Sequence, residues 1–116
     1  MKVTSLDQVP SAAMAMAGVV GVAKQVPLGK EDGTPNFSFR VFTVEPGGHT
    51  PYHQHESEHL NYVIAGEGAL VDADGTQHPL KSGDFAFVNP NEKHQYRNTS
   101  STQEFKMICA VPSAYE

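Results

Sequence analysis

Turn signals recur along this chain about every eight to twelve residues, and that spacing limits its fold more than any other feature. They fall at Lys30-Glu31-Asp32-Gly33-Thr34-Pro35, Glu45-Pro46-Gly47-Gly48, Gly66-Glu67-Gly68, Asp74-Gly75, Ser82-Gly83-Asp84 and Asn89-Pro90-Asn91. Short runs of β-formers lie between them: Val19–Val26, Phe37–Val44, Leu60–Ala65, Ala69–Ala73, Thr76–Leu80, Phe85–Val88, Gln95–Thr99 and Glu104–Val111. Asp74-Gly75 between two such runs is a hairpin signature. Ser11–Ala17 is the one stretch of helix-like composition, and it stops at Gly18. The pattern predicts an all-β chain of at least eight strands with few or no helices, closed into a barrel or folded as two sheets. Residues 1–10 are expected to form an edge strand or an arm.

The chain has 116 residues, the length of one domain (residues 1–116) with a single core. Eight Lys+Arg against thirteen Asp+Glu leave a net charge of −5, with no basic cluster. Nucleic acid and anionic membrane surfaces are therefore poor partners. Cys109 is the one cysteine, so no intrachain disulfide and no cysteine-based zinc finger can form. Ala12–Ala23 is apolar but shorter than the ~20 residues needed to span a bilayer, and the segment before it lacks the positive start of a secretion signal. A soluble, cytoplasmic protein is the expectation.

Function is most legible in the histidines. Six lie between His49 and His94, and His53, His55 and His59 fall within seven residues. On a strand, His53 and His55 face the same side, so both rings can meet one ion at nitrogen–metal distances of about 2.1 Å. His55-Glu56-Ser57-Glu58-His59 also spells H-E-x-x-H, which on a helix would make a zinc protease site with Glu56 as base. The flanks oppose a helix: Gly47, Gly48 and Pro51 precede it, and β-prone Asn61-Tyr62-Val63-Ile64 follows. The expected order is strand, connection, strand. His53 and His55 end one strand, Glu56-Ser57-Glu58 cross over, and His59 opens the next. His59, Asn61 and Val63 then share one face and Glu58, Leu60 and Tyr62 the other.

These residues resemble the two motifs of the cupin family. Motif 1 matches at Gly47, His53, His55, position 59 and Gly66, with His59 where the family usually has Glu. Motif 2 runs from Gly83 to Asn98: Pro90 sits one position late, Asn91 takes the place of a Gly, and His94 and Asn98 have the family spacing. The resemblance covers roughly residues 37–111 and is closest to small single-domain bacterial cupins that bind manganese or iron through four histidines. It implies a jelly-roll, double-stranded β-helix barrel, with His53, His55, His59 and His94 as ligands to one divalent transition metal. Mn or Fe is favoured by the resemblance; imidazole donors suit Zn, Ni and Cu as well. It further implies a metal-dependent oxidoreductase using O2 or peroxide on a small organic molecule. The alternatives are a non-catalytic ligand-binding or sensor barrel and a metal-assisted isomerase or lyase. Cupins commonly pair, and the two-faced apolar strand Phe37–Val44 agrees with a homodimer.

Other residues carry weaker expectations. His49 belongs at the rim and His78 on the surface. Asn61 and Tyr96 share faces with His59 and His94 and are candidates for the pocket wall. Arg40, in an apolar strand, either pairs with a carboxylate or meets an anionic substrate. Met107 and Cys109 share a face of the last strand. If that face points inward, Cys109 is an oxidation target.

Overall fold

The structure is a computed structural model and describes residues 1–116. Nine strands form: β1 (Ala12–Ala13), β2 (Val20–Leu28), β3 (Phe37–His49), β4 (His59–Ala65), β5 (Glu67–Val71), β6 (Gln77–Lys81), β7 (Phe85–Val88), β8 (Gln95–Asn98) and β9 (Phe105–Pro112). Helix is confined to three single 3-10 turns, at Leu6–Gln8, Lys30–Asp32 and Ser113–Tyr115. Every strand pairing is antiparallel. The strands follow the order β6-β5-β8-β3-β9-β4-β7, and β2 and β1 add to the other edge of β3. The result is a nearly closed barrel of the all-β class that the turn spacing predicts, and the jelly roll that the resemblance implies.

β3 joins the two sheets. Its first half pairs with β9 from Phe37↔Pro112 to Val44↔Phe105, while its last residue, His49, pairs with Arg97 of β8. The bend between them falls at Pro46-Gly47-Gly48. The sequence reading placed a chain-reversing turn there; the structure instead carries β3 through it as a bulge. The register against β2 jumps from Val22↔Val44 to Val20↔His49. Gly47 takes φ +75°, and a Cβ on Gly48 would stand 2.6 Å from the Val20 carbonyl oxygen, so the bulge needs both glycines.

Ser11–Ala17, helix-like in composition, forms no helix, in keeping with the expectation of few or none: Ala12 and Ala13 pair with Lys24 and Ala23. Of the two forms expected for residues 1–10, edge strand or arm, the structure has the arm, tied by the Gln25 side-chain amide, which donates to the Leu6 and Val9 carbonyls at 3.0 and 2.9 Å. One further expectation is corrected. His53 and His55 do not end a strand. Pro51 has no N–H to give a ladder, so β3 stops at His49, and His53 keeps only an isolated bridge to His94.

The core holds Val22, Phe42, Val44, Val63, Val88, Tyr96, Phe105, Met107, Cys109 and Val111. Asn98 ties it at one end, donating to the Val44 and Gln103 carbonyls at 2.9 and 2.8 Å and accepting from Ser100 N at 2.8 Å. Its position in motif 2 is thus a structural one. No helix of the structure is long and apolar enough to cross a membrane.

Candidate metal centre

Three backbone elements bring four imidazoles together. The segment after β3 carries His53 and His55, β4 opens with His59, and His94 stands just before β8. His53 and His94 exchange both backbone hydrogen bonds, at 3.1 and 2.9 Å, which locks the two motifs face to face. Asn91 N donates to the His55 carbonyl at 2.7 Å, so the second motif also holds the first histidine loop. Asn91 is the one non-glycine residue with positive φ, +62°, a conformation Asn tolerates better than most residues. That explains how it replaces the family glycine.

The donor nitrogens of His53, His55 and His94 lie within 4.8 Å of one another. His59 lies outside that trio but adjoins it: its Nε2 is 2.7 Å from His55 Nε2, and its ring centroid is 5.1 Å from that of His94. Two rings have their tautomers set by the backbone. His55 Nδ1 donates to the Ser57 carbonyl and His94 Nδ1 to the Glu92 carbonyl, both at 2.8 Å. Each Nε2 is then an unprotonated donor, the form a metal requires. Nδ1 of His59 faces Cys109 Sγ at 2.9 Å and Arg40 Nη2 at 3.4 Å.

Electrostatics favour the neutral rings. Burial pushes the pKa of His59 down to about 3, helped by Arg40 and the other histidines. Burial also lowers His53 and His94; the neighbouring histidines add to this, while the Glu92 carbonyl pulls His94 the other way. No Asp or Glu lines the cavity over these rings. A set of neutral nitrogen donors without carboxylate fits a borderline transition metal better than Ca or Mg, which demand oxygen.

Residues 40–111 match the family model described as a cupin domain. The chain is a cupin. It is 30% identical over 105 residues to an oxalate-binding protein of Thermotoga maritima, covering 88% of this chain and 86% of that one. It is 33% identical over 82 residues to an L-ectoine synthase of Saccharophagus degradans, covering 68% of this chain but 58% of the synthase. The polyketide cyclase RemF from Streptomyces resistomycificus superposes with a TM-score of 0.91 at 27% identity, covering 97% of this cupin and 80% of that chain.

The cupin's histidines open into a cavity of about 330 Å3. Asn61, Tyr96, Met107 and Arg40 line it; strand alternation offered the first two as candidates and left the direction of Met107 open. Tyr96 donates its hydroxyl to Asn61 Oδ1, and burial raises the Tyr96 pKa well above its ordinary value. Cys109 lies inward and fully buried, behind His59. His49 is half-buried and does not line the cavity, its Nδ1 on the Thr50 carbonyl at 3.0 Å. His78 is exposed and bonded to Asp72 at 2.9 Å. Glu56 and Glu58 are both exposed, away from the cavity.

Sequence reasoning missed Met14, Met16, Lys24, Thr50 and Tyr115 in the cavity wall. Lys24 had a signal: it shares the inward face of β2 with buried Val22, where a lysine needs a reason. Tyr115 and the two methionines arrive from chain ends through long-range packing and carried none.

Proposed function

We propose that this cupin holds one divalent transition metal, Mn or Fe before Zn, Ni or Cu, on His53, His55, His59 and His94, and acts as a Lewis-acid enzyme on a small organic substrate. One observation carries this reading: four imidazoles converge with no carboxylate among them. When bound there, a divalent ion keeps its full charge and polarises a coordinated oxygen strongly. The chain's own groups supply the rest. Tyr96 is held protonated by burial and donates its hydroxyl to Asn61, so its oxygen can accept a hydrogen bond from substrate but the group does not act as a base near neutral pH. Asn61 orients that hydroxyl. Met14, Met16 and Tyr115 line the cavity with largely apolar surface and restrict water. The names of two relatives, a polyketide cyclase and an ectoine synthase, support non-redox chemistry of this kind.

Oxidoreductase chemistry with O2 or peroxide is the second reading, and the observation favouring it is the number of protein donors. Four ligands on an ion that accepts six leave places for substrate and O2 together. Against it stand the sulfur atoms. The Cys109 thiol contacts His59 and the Met107 thioether lines the cavity, where activated oxygen would attack them. A pure ligand-binding role keeps the same residues without turnover.

Elemental analysis of protein purified without chelator tests the centre: one transition metal per chain is expected. Protein that arrives metal-free and takes up none on dialysis against Mn, Fe(II) or Zn would overturn it. Zinc-loaded protein that turns over as well as the Mn or Fe form supports Lewis-acid chemistry. Activity restricted to Mn or Fe and dependent on O2 reverses the order of the two readings.

The partner we propose is a small molecule, with a second copy of the chain as the only macromolecule. Exposed Phe37, Phe39, Leu60, Phe85 and Phe87 on the outer sheet face support the homodimer. The net charge of −5 disfavours nucleic acid.

A further inference from the structure

The cavity over the histidines departs from the charge balance of the whole chain. The protein has thirteen Asp+Glu and only eight Lys+Arg. Yet the cavity wall contains Arg40 and Lys24 and no acidic residue. Neither cation has a carboxylate within ion-pair distance; the two ion pairs of the structure lie elsewhere, at Lys2–Asp32 and His78–Asp72. A neighbouring cleft of about 460 Å3 under the N-terminal arm, which Lys24 also borders, shows the usual arrangement: Lys2 pairs with Asp32, with Glu31 and Glu116 in the same wall.

Arg40 is also poorly satisfied. Its partners are the Tyr115 carbonyl at 3.2 Å, Cys109 Sγ at 3.1 Å and, more distantly, His59 Nδ1 at 3.4 Å, none of them a carboxylate. Its Nε is buried with no partner. The guanidinium lies over the Phe42 ring, 5.0 Å from the centroid, and Lys24 pairs across the sheet with the same Phe42. The two cations therefore flank one aromatic ring. Burial lowers the Lys24 pKa and Arg40 lowers it further, while Glu116 opposes. Glu116 itself is committed elsewhere, accepting from Ser38 and from Lys30 N. Partly buried cations without counter-ions are costly, and the cost is relieved when an anion arrives. Met14, Met16 and Tyr115 line the same cavity and give it an apolar wall beside these cations.

We infer that the cavity binds an organic carboxylate with an apolar body, its carboxylate held by Arg40 and Lys24 beside Phe42. The body extends along Met14, Met16 and Tyr115. A two-carbon dianion would leave most of a 330 Å3 cavity unfilled. This rests on the metal reading only for the end of the ligand that meets the histidines; the carboxylate subsite stands on Arg40 and Lys24 alone.

Calorimetric titration of hexanoate, hexanamide and oxalate into metal-loaded protein tests it. Hexanoate is expected to bind at least about tenfold tighter than hexanamide, which keeps the apolar body but lacks the charge. Arg40→Met and Lys24→Met should each weaken hexanoate by about tenfold while metal content stays at one per chain. Lys24→Met serves alone if Arg40→Met does not fold. Hexanoate should still bind metal-stripped protein with the same dependence on the two cations. Equal binding of hexanoate and hexanamide overturns the inference. So does hexanoate binding that vanishes with the metal and ignores both substitutions, since the carboxylate then sits on the ion. Oxalate binding more tightly than hexanoate, unaffected by either substitution, overturns it too. Protein that takes up no metal on dialysis and still shows the cation dependence removes the metal centre and leaves this subsite standing.

Discussion

Two neighbouring rows of the β3–β9–β4–β7 sheet invert the ordinary pattern of a half-buried sheet. The inner row is Arg40, Cys109, Asn61 and Ala86, joined by cross-strand register. It is partly or wholly buried and mostly polar; Asn61 is 3% exposed. One residue along each strand, the outer row reads Phe39, Ala110, Leu60 and Phe87. It is entirely apolar, yet Phe39, Leu60 and Phe87 are 45%, 51% and 53% exposed. The next outward row places Phe85, 78% exposed, beside Tyr62. Polar groups inside need partners and apolar groups outside need cover. The inner row finds its partners in the histidine cavity. The outer row finds none in a single chain. The two faces therefore point to two different associations, one with a small ligand and one with a second protein surface.

Substitutions that strike one face and spare the other separate them. The largest effect is expected from His94→Ala. His94 is the only cavity histidine from the second motif, and its tautomer is fixed by the Glu92 carbonyl. Metal content should fall from one ion per chain to a trace, an affinity loss beyond the ~100-fold typical of removing a ligand's supporting partner. The oligomer mass should not change. Metal content retained at one per chain in His94→Ala would sink the ligand assignment, and His78→Ala on the exposed hairpin is the control.

The outer face is broken by Leu60→Glu. Leu60 stands between Phe87 on β7 and Ala110 on β9, at the centre of the apolar row. Light scattering of the unaltered chain at micromolar concentration should give about twice 12.5 kDa, and Leu60→Glu should give the single-chain mass. Its metal content should stay at one per chain, because Leu60 points away from the cavity that its neighbours His59 and Asn61 line. A single-chain mass for the unaltered protein would leave the exposed phenylalanines without a dimer to explain them.

How far the sequence could be read also differs between these faces. Strand alternation assigned His59 and Asn61 to one face and Leu60 to the other, because a period of two is local. Alternation could not say that the polar set was the buried one; the family motif did that, through the spacing of Gly47, His53, His55 and Gly66. Turn chemistry located the connections at Asp74-Gly75 and Gly83. It failed at Pro46-Gly47-Gly48, where the same residues serve a bulge because β2 continues alongside. The His53–His55 segment was misread as strand. Its shape comes from Pro51 and from the distant backbone bonds of Asn91 and His94, which no local pattern encodes. Lys24 and Tyr115 enter the cavity by pairing and packing across long sequence separations, and so stayed invisible.

A smaller, graded effect follows from protonation of the inner site. His53, His59 and His94 have pKa values lowered by burial, that of His59 to about 3, whereas in the unfolded chain each returns to about 6.5. Between those values the unfolded state binds more protons than the folded one, so stability rises with pH in that window. The metal-free protein should therefore hold its full stability above pH ~6.5 and lose it steadily as the pH falls toward 3. Urea unfolding at several pH values reads the slope, and His59→Gln should flatten it most between pH ~5 and 6.5, above the range where carboxylates titrate. Metal release should likewise begin below the ordinary imidazole pKa, because protons compete poorly for rings already held neutral. A stability maximum near pH 5, or release centred at 6.5, would contradict the buried neutral cluster.

The smallest effect tests whether His55-Glu56-Ser57-Glu58-His59 acts as its letters suggest. In a zinc-protease helix Glu56 would sit beside the ion as the base, and Glu56→Gln would abolish turnover with metal still bound. In this barrel the segment is a connection, not a helix. His55 turns inward because its ring is tied to the Ser57 carbonyl and its own carbonyl accepts from Asn91 N. Ser57 is buried between two exposed glutamates, so Glu56 and Glu58 project outward while His59 opens β4 on the inner face. Glu56→Gln should leave metal content at one per chain and change unfolding stability by no more than about 0.5 kcal/mol, the range of an exposed side chain without partners. It should also leave the mass of the dimer unchanged, since Glu56 lies on neither apolar outer row. A loss of turnover in this variant with the metal still bound would place Glu56 beside the ion as the base and replace the loop reading with the helix one.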